Sequence, residues 1–219
     1  MIATQTEANI LKSICGKEVK PGIYRYQNIE LTTLVTGVGS IATAWSLKQW
    51  LSINEKPDLV LNIGIAGSYR DDLKIGQVVI PVSDCFADAG IEDNNQFLTL
   101  SEAGLSDPDH FPFEAGTICC RNKYIDQAPE SFRKVRAITV NTATGSEFTM
   151  KKLINKFNPD IETMEGATFF YICTRENVPF LAFRAISNRV EIRNRSNWDI
   201  PMALTNLSEG IEDFFLKLD

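Results

Sequence analysis

Two glutamates that lie far apart along the chain could perform acid–base or ligand-binding chemistry. Glu7 follows the short N-terminal segment, and Glu165 begins a largely apolar helical stretch. A fixed carboxylate at Glu165 could accept hydrogen bonds from two neighbouring sugar hydroxyls, and its charge would favour a cationic sugar. A plainer interpretation stays open for both. Acidic residues in the first turn of a helix commonly complement the helix dipole, and Glu7 could be solvated.

Three further side chains could recognise a planar, polar ligand. Asn188 follows an apolar run, and its amide offers a donor and an acceptor that could hold one edge of a purine. An Asn at a strand end is more often a turn former. Phe148 could stack on a base or belong to the core. Arg193, clustered with Arg189 and Arg195, could hold a substrate carboxylate or be part of a solvated loop.

The glycine segment at residues 37–39 has the sequence Gly-Val-Gly and lies between a predicted strand and a predicted helix. Such a turn suits a phosphate or a ribose. It lacks the third glycine of a dinucleotide fingerprint and the Lys-Ser/Thr pair of a P-loop. A tight turn that requires positive φ angles explains it equally well.

Apolar strands that alternate with amphipathic helices predict an α/β fold with a mostly parallel, buried sheet. Ligands of such sheets usually bind beyond the carboxyl ends of the strands, where we expect residues 64–67, 144–148 and 187–188. No repeat or linker appears, so we expect a single domain over residues 1–219. The predicted strands are 31–36, 59–63, 77–82, 135–140 and 180–186, and the predicted helices are 37–54, 146–157, 165–176 and 201–216.

The bulk composition excludes several classes of protein. The 219 residues carry a net charge of −6 and no basic stripe, so nucleic acid is not an expected partner. No apolar run approaches the length of a membrane helix, and the N-terminus lacks the features of a signal peptide. The five cysteines form no CxxC pair, which indicates reduced thiols, no metal site and a cytoplasmic location. Any Ser-His or Cys-His system would need the only histidine, His110, in a predicted loop.

Several motifs in a fixed order resemble the nucleoside phosphorylase/nucleosidase superfamily. Within it, the chain is similar to the futalosine hydrolase family, with the methylthioadenosine/S-adenosylhomocysteine nucleosidases as close relatives. The resemblance implies a single α/β domain with a central twisted sheet, mixed but mostly parallel, flanked by helices. The matching stretches are TGVGSIATA (36–44), NIGIAG (62–67), LKIGQVVI (73–80), TGSEF (144–148), ETMEGA (162–167) and VPFLAFRAISN (178–188).

The resemblance also implies roles for individual residues. Glu7 matches the glutamate that activates water, and Asn188 matches the residue at N7 of the leaving purine. Glu165 matches the carboxylate that binds the ribose hydroxyls. The other candidates for substrate binding are Met164 on the sugar, Phe148 on the base face, Thr149 with its backbone at the base edge, Ala66 and Gly67 in the glycine-containing segment 64–67, and Arg193 toward a substrate carboxylate.

Two departures from related families refine what the resemblance implies, one about the base and one about the nucleophile. Adenine-cleaving nucleosidases have Asp where this chain has Asn188, and an Asn amide can donate to a 6-oxo group, which favours hypoxanthine. Residues 3–7 contain no arginine and end in Glu7, which would repel phosphate and orient water.

We therefore expect hydrolysis of the N-glycosidic bond of futalosine without a cofactor, by a homodimer or a higher homo-oligomer. The alternatives are a methylthioadenosine/S-adenosylhomocysteine or aminofutalosine nucleosidase, a purine nucleoside phosphorylase, and a nucleoside-binding module without catalysis.

Overall fold

The computed structural model describes residues 1–94 and 96–218. In this part of the chain, short 3-10 helices lie at Lys123–Gln127 and Arg195–Asn197. The α-helices are α1 (Gln5–Cys15), α2 (Ser40–Ile53), α3 (Glu147–Phe157), α4 (Gly166–Arg175) and α5 (Ile200–Phe215). The strands are β1 (Ile23–Tyr26), β2 (Ile29–Thr32), β3 (Val60–Ser68), β4 (Val78–Asp84), β5 (Gly90–Asp93), β6 (Gln96–Thr99), β7 (Ile118–Cys119), β8 (Arg133–Thr139), β9 (Ile161–Thr163) and β10 (Phe180–Arg189).

The central sheet has the strand order β10-β3-β9-β8-β4-β7, and β10 also pairs with β4, so that five strands close into a ring. The longer pairings, β10 with β3, β4 with β8 and β8 with β9, are parallel. The antiparallel pairings span two residue pairs each. The expected α/β class with a mixed central sheet is therefore confirmed. Two antiparallel hairpins, β1-β2 and β5-β6, lie outside this sheet.

Strand β10 runs through the core. All but the last of its residues are buried, as its continuous apolar run predicts for a strand covered on both faces. Helix α5 packs on β10, α2 packs on α4, and α1 packs on α5. The aromatic rings of Phe169, Phe170 and Phe180 meet edge to face, with centroids 4.8–5.9 Å apart. These contacts anchor the start of β10 and the middle of α4 to each other.

Three predicted strand boundaries are wrong. The strand predicted at 31–36 ends at Thr32, and Val35 makes only an isolated bridge to Ile2. Strands β3 and β10 continue to Ser68 and Arg189, because they pair with each other well beyond the predicted ends. Residues 64–67 and 187–188 therefore lie within paired strands and not in loops beyond them. The sequence pattern was misleading because glycines and Ser-Asn pairs usually mark turns.

Candidate active site

Glu7 forms part of the cap of its own helix. The backbone N–H and the hydroxyl of Thr4 donate to Glu7 Oε2 at 3.0 and 2.8 Å, and the Glu7 N–H donates to Thr4 Oγ1 at 3.3 Å. This reciprocal arrangement is a capping box at the start of α1. The side chain is buried, so the interpretation of Glu7 as a solvated residue is wrong. Only one carboxylate oxygen is used by the cap.

The other oxygen of Glu7 faces strand β3. Oε1 accepts from the N–H of Ile65 at 3.3 Å. A Cβ atom at Gly64 would lie 2.9 Å from Glu7 Oε1 and 3.9 Å from the guanidinium carbon of Arg184. The missing side chain at position 64 therefore lets a carboxylate and a guanidinium approach the same point of the sheet. Any larger residue there would push the Glu7 carboxylate away.

Glu165 precedes α4 but makes no capping hydrogen bond to it. Its Oε1 accepts from the backbone N–H of Gly39 at 2.8 Å. Gly39 has φ 91°, a conformation that favours glycine, and it directly precedes α2. The Gly-Val-Gly turn thus contacts the carboxylate through a backbone amide.

Burial raises the pKa of the Glu165 carboxyl group above its usual range. The Gly39 amide and the Arg184 guanidinium partly counteract this rise, and the charge of Glu7 adds to it. The two glutamates are therefore close enough to influence each other electrostatically.

Arg184 is a buried cation whose charge acts on both carboxylates, and its side chain was not among the candidates predicted from the sequence. It is fully buried in β10 and donates to the carbonyl oxygens of Asn62 at 2.7 Å and Phe183 at 3.1 Å, and also to Asn62 Oδ1. Burial lowers its pKa, while Glu165, Glu7 and Asp84 oppose that shift. An arginine inside an apolar strand was the available signal, because a buried charge requires partners.

Asn188 lies next to Gly67 across the β3–β10 pairing, just past a β-bulge. Its Oδ1 accepts from the Ser187 hydroxyl at 2.8 Å, and its Nδ2 donates to the carbonyl of Arg189 at 2.8 Å. A Cβ atom at Gly67 would lie 3.3 Å from Asn188 Nδ2. An amide retains a second N–H and a second lone pair after these two bonds. Ala66 and Gly67 are both buried in β3 beside it.

Hydrogen bonds accepted by Glu162, to which the sequence assigned no role, hold the segment before α3 against the sheet. Glu162 is buried in β9; its Oε1 accepts from the N–H of Thr144 at 2.9 Å, and its Oε2 accepts from the Tyr69 hydroxyl at 2.6 Å. Ser146 caps α3 by accepting from the N–H of Thr149 at 3.2 Å, so that amide is already used. A cavity of about 560 Å³ adjoins this segment.

Phe148 and Arg193 lie at the surface. Phe148 is 71% exposed, so the interpretation of this ring as a core residue is wrong. Arg193 donates its N–H to the carbonyl of Gly145 at 3.2 Å, and its guanidinium lies 5.6 Å from the centre of the Trp198 ring. Met164, next to Glu165, is partly buried. Arg193 thus borders the segment before α3, but its charged group faces Trp198.

His110 lines a different cavity of about 570 Å³, together with Cys85. Burial raises the pKa of the Cys85 thiol to about 12, and the neighbouring Asp84 adds to the rise. A thiol that stays protonated is a poor nucleophile, so this pair does not form an activated Cys-His system. Within residues 1–94 and 96–218, no group of three or more His, Cys, Asp or Glu side chains could hold a metal ion. In the same ranges, no helix has the length and apolarity needed to cross a bilayer.

Comparisons with known proteins give consistent results. The model of the phosphorylase superfamily matches residues 6–215. A 5′-methylthioadenosine/S-adenosylhomocysteine nucleosidase of Buchnera aphidicola is 26% identical over 219 residues, covering 95% of this chain and 87% of that protein. A futalosine hydrolase of Streptomyces coelicolor is 28% identical over 204 residues, covering 90% and 84%. The structure of a futalosine hydrolase of Helicobacter pylori superposes with a TM-score of 0.79 at 18% identity, covering 98% and 94% of the two chains, which shows a common fold.

Proposed function

The chain belongs to the phosphorylase superfamily, and we propose that it acts as a single nucleosidase domain that hydrolyses the N-glycosidic bond of futalosine. The products would be hypoxanthine and dehypoxanthinyl futalosine, the latter an intermediate on a route to menaquinone. The main support is the pair of buried glutamates, Glu7 and Glu165, which share the Arg184 guanidinium as a counter-charge. The similarity to a futalosine hydrolase over most of the chain adds to it.

Bond cleavage would begin at the sugar. The bond between C1′ and the purine N9 breaks, its electron pair leaves with the base, and the sugar becomes oxocarbenium-like. Glu165 accepts hydrogen bonds from the 2′- and 3′-hydroxyls, and its charge stabilises the cationic ring. Met164, adjacent to Glu165, would pack on the sugar.

Water would then complete the reaction. Glu7 takes one proton from a water molecule while the water oxygen bonds to C1′. Glu7 Oε1 is the oxygen for this step, because Oε2 already accepts two hydrogen bonds from Thr4. Phosphate is disfavoured as the nucleophile, since two carboxylates surround the reacting carbon and the Arg184 guanidinium is directed at Asn62 and Phe183.

Asn188 and its neighbours would recognise the base. The free lone pair of Asn188 Oδ1 can accept from a protonated N7, and the free N–H can donate to a 6-oxo group. The proton on N7 would come from solvent. Ala66 and Gly67 are small residues beside this amide, and Phe148 would stack on the base. The Thr149 N–H donates to Ser146 and its carbonyl lies inside α3, so a contact of the Thr149 backbone with the base edge would use the second lone pair of that carbonyl.

Arg193 would bind the benzoate carboxylate of futalosine. The side chain would first have to leave Trp198, and its exposed position allows that movement. Arg193→Ala should therefore raise the KM for futalosine and leave the KM for inosine, which has no carboxylate, unchanged.

We also expect a homodimer or a higher homo-oligomer in the cytoplasm, without a cofactor. Helix α2 exposes Ile41 to 86% and Trp45 to 70%, on the side opposite its buried residues. A second copy of the chain would cover this apolar face. Light scattering should show dissociation of the Ile41→Glu/Trp45→Glu variant, whereas Leu105→Glu, an exposed apolar site elsewhere, should leave the assembly intact.

A methylthioadenosine/S-adenosylhomocysteine nucleosidase is the second candidate, because one such enzyme matches over nearly the whole chain. The two activities differ in the base that is released, hypoxanthine or adenine. Asn188→Asp should raise the preference for aminofutalosine over futalosine by on the order of tenfold, since an Asp accepts from a 6-amino group and can protonate N7. An unchanged preference would contradict the role of Asn188.

The decisive experiment incubates the purified protein with futalosine, inosine or methylthioadenosine, with and without phosphate, and quantifies the released base. We expect hypoxanthine from futalosine at a rate that does not depend on phosphate. Faster adenine release from methylthioadenosine would favour the second candidate, and a requirement for phosphate would favour a phosphorylase. Tight binding without base release would leave only a nucleoside-binding module.

A further inference from the structure

The N-terminus of α4 is capped by two threonines from neighbouring strands and not by the residue that precedes the helix. The N–H of Gly166 donates to Thr163 Oγ1 at 3.1 Å, and the N–H of Ala167 donates to Thr139 Oγ1 at 2.7 Å. Both hydroxyls are buried. The first amides of a helix need such acceptors, and an adjacent Ser, Thr, Asp or Asn is the usual source. Here the adjacent residue, Glu165, supplies none.

Asp84 determines which groups donate and which accept in the hydrogen bonds of this cap. Thr139 Oγ1 donates its only proton to Asp84 Oδ1 at 2.9 Å, so the same oxygen is left to accept from Ala167. Thr163 Oγ1 lies 3.4 Å from Thr139 Oγ1, close enough for the two hydroxyls to interact. Asp84 is completely buried at the end of β4, and its Oδ2 has no hydrogen-bond partner in the described part of the chain.

The contact between Asp84 and α4 is also very close. A Cβ atom at Gly166 would lie 2.0 Å from Asp84 Oδ2, so the carboxyl group occupies the space where any other residue would have its side chain. The Asp84 carboxyl group is therefore packed directly against the first residue of the helix that follows Glu165. The Asp84 carboxyl group thus contacts the first residue of α4, whereas the Glu165 carboxylate accepts from the Gly39 amide.

We propose that Asp84, acting through the Thr139 hydroxyl, is a positioning residue for Glu165. By keeping the first amides of α4 supplied with other acceptors, it leaves the Glu165 carboxylate directed at Gly39 and available to a vicinal diol. This inference rests on the proposed function only in taking Glu165 as the ligand of the sugar hydroxyls. Without the Thr139 acceptor, the unpaired amide of Ala167 competes for the Glu165 carboxylate and turns it back toward its own helix.

Thr139→Val tests this directly, because valine keeps the shape of threonine and removes the hydroxyl. Thr139→Ser is the matched control, since it keeps the hydroxyl. The first readout is the amide signal of Gly39 in 15N-resolved NMR spectra. Loss of its hydrogen bond to Glu165 in Thr139→Val should shift the amide proton upfield and speed its exchange with solvent, whereas Thr139→Ser should keep the wild-type values.

The second readout compares kcat/KM for futalosine and 2′-deoxyfutalosine. Thr139→Val should lower the ratio of the two values by on the order of tenfold, because only the first substrate offers the full diol. General destabilisation would lower both values and leave the ratio unchanged. If Thr139→Val does not fold, Thr163→Val and Thr163→Ser provide the same comparison at the Gly166 amide.

An unchanged Gly39 signal in a folded Val variant overturns the inference, whatever the kinetics show. A shifted Gly39 signal with an unchanged substrate ratio supports the positioning by Asp84 and Thr139 but contradicts the role of Glu165 as diol ligand. A wild-type protein that releases no base from futalosine contradicts the proposed function alone, because the Gly39 signal still decides between the two arrangements of Glu165.

Discussion

The starts of α1 and α4 each place a glutamate within the electrostatic influence of the same buried guanidinium, in two different ways. Glu7 caps its own helix with one oxygen and turns the other toward β3. The cap of α4 comes from Thr139 and Thr163, so neither oxygen of Glu165 is used by the helix, and Glu165 Oε1 accepts from the Gly39 amide. A carboxylate that takes part in a single proton transfer needs only one oxygen for it, so the other oxygen can belong to a helix cap. A carboxylate that binds two hydroxyls, as proposed for Glu165, uses both oxygens, and the helix then requires another source of acceptors.

The largest expected effect comes from Glu7→Gln. Glutamine can keep the capping box at the start of α1, so stability should change little, but an amide cannot take a proton from water. We expect kcat to fall on the order of 1,000-fold with a nearly unchanged KM, as measured by steady-state hydrolysis of futalosine. Unaltered turnover would remove Glu7 from the mechanism and leave it only as a cap.

Glu165→Gln should have the next largest effect. The amide loses the charge and one acceptor, so we expect kcat/KM to fall on the order of 100-fold. Because Glu165 does not cap α4, the urea midpoint should stay close to that of the wild type. A loss of stability typical of a deleted cap would show that Glu165 caps α4, as Glu7 caps α1.

Asp84→Asn should change how stability depends on pH. Burial raises the pKa of Asp84 from 3.8 to about 7, and the charge of Glu165 adds to this, while Thr139, Arg184 and the Cys85 amide oppose it. Between these values the folded protein holds a proton that the unfolded chain releases. The contribution of Asp84 to stability is therefore present below about pH 4 and lost as the pH rises to about 7.

Asparagine cannot ionise and should not show this loss. From pH 4 to pH 8, the difference in unfolding free energy should move in favour of Asp84→Asn by on the order of 4 kcal/mol, measured by urea denaturation. Parallel curves for the two proteins would show that Asp84 does not titrate in this range.

Thr4→Ala should have the smallest effect and acts on α1 alone. Removal of the Thr4 hydroxyl deletes a side-chain cap, so we expect a loss of about 1 kcal/mol in unfolding free energy. It also frees Glu7 Oε2 from one of its two donors, and kcat should change by less than it does in Glu7→Gln. A variant as impaired as Glu7→Gln would show that the cap itself orients the reactive oxygen.

The sequence was sufficient for the elements that local patterns determine. Helices α2 to α5 were predicted to within a few residues, and Glu165 was correctly placed at a helix start. The local pattern could not show that Thr139 and Asp84 reach the same helix start from other strands. Those contacts depend on β8, β9 and β4 being neighbours in the sheet.

The missed strand ends have a related cause. Ser187 and Asn188 resemble a turn in sequence, and only the long pairing with β3 keeps them extended. For Glu7, a helix-start residue and a carboxylate of the site were treated as alternatives. In the structure, the capping hydrogen bonds and the contact with Gly64 are present together. The roles proposed for the site residues remain predictions that the experiments above test.

The exposed ring of Phe148 affects how this chain would respond to artificial selection. With 71% of its surface in solvent, Phe148 is hardly constrained by packing. A library screened only for heat tolerance should accumulate polar replacements at position 148 at little cost. Because Phe148 is proposed to stack on the base, a library screened for turnover should retain an aromatic residue at position 148, and the two libraries would differ there.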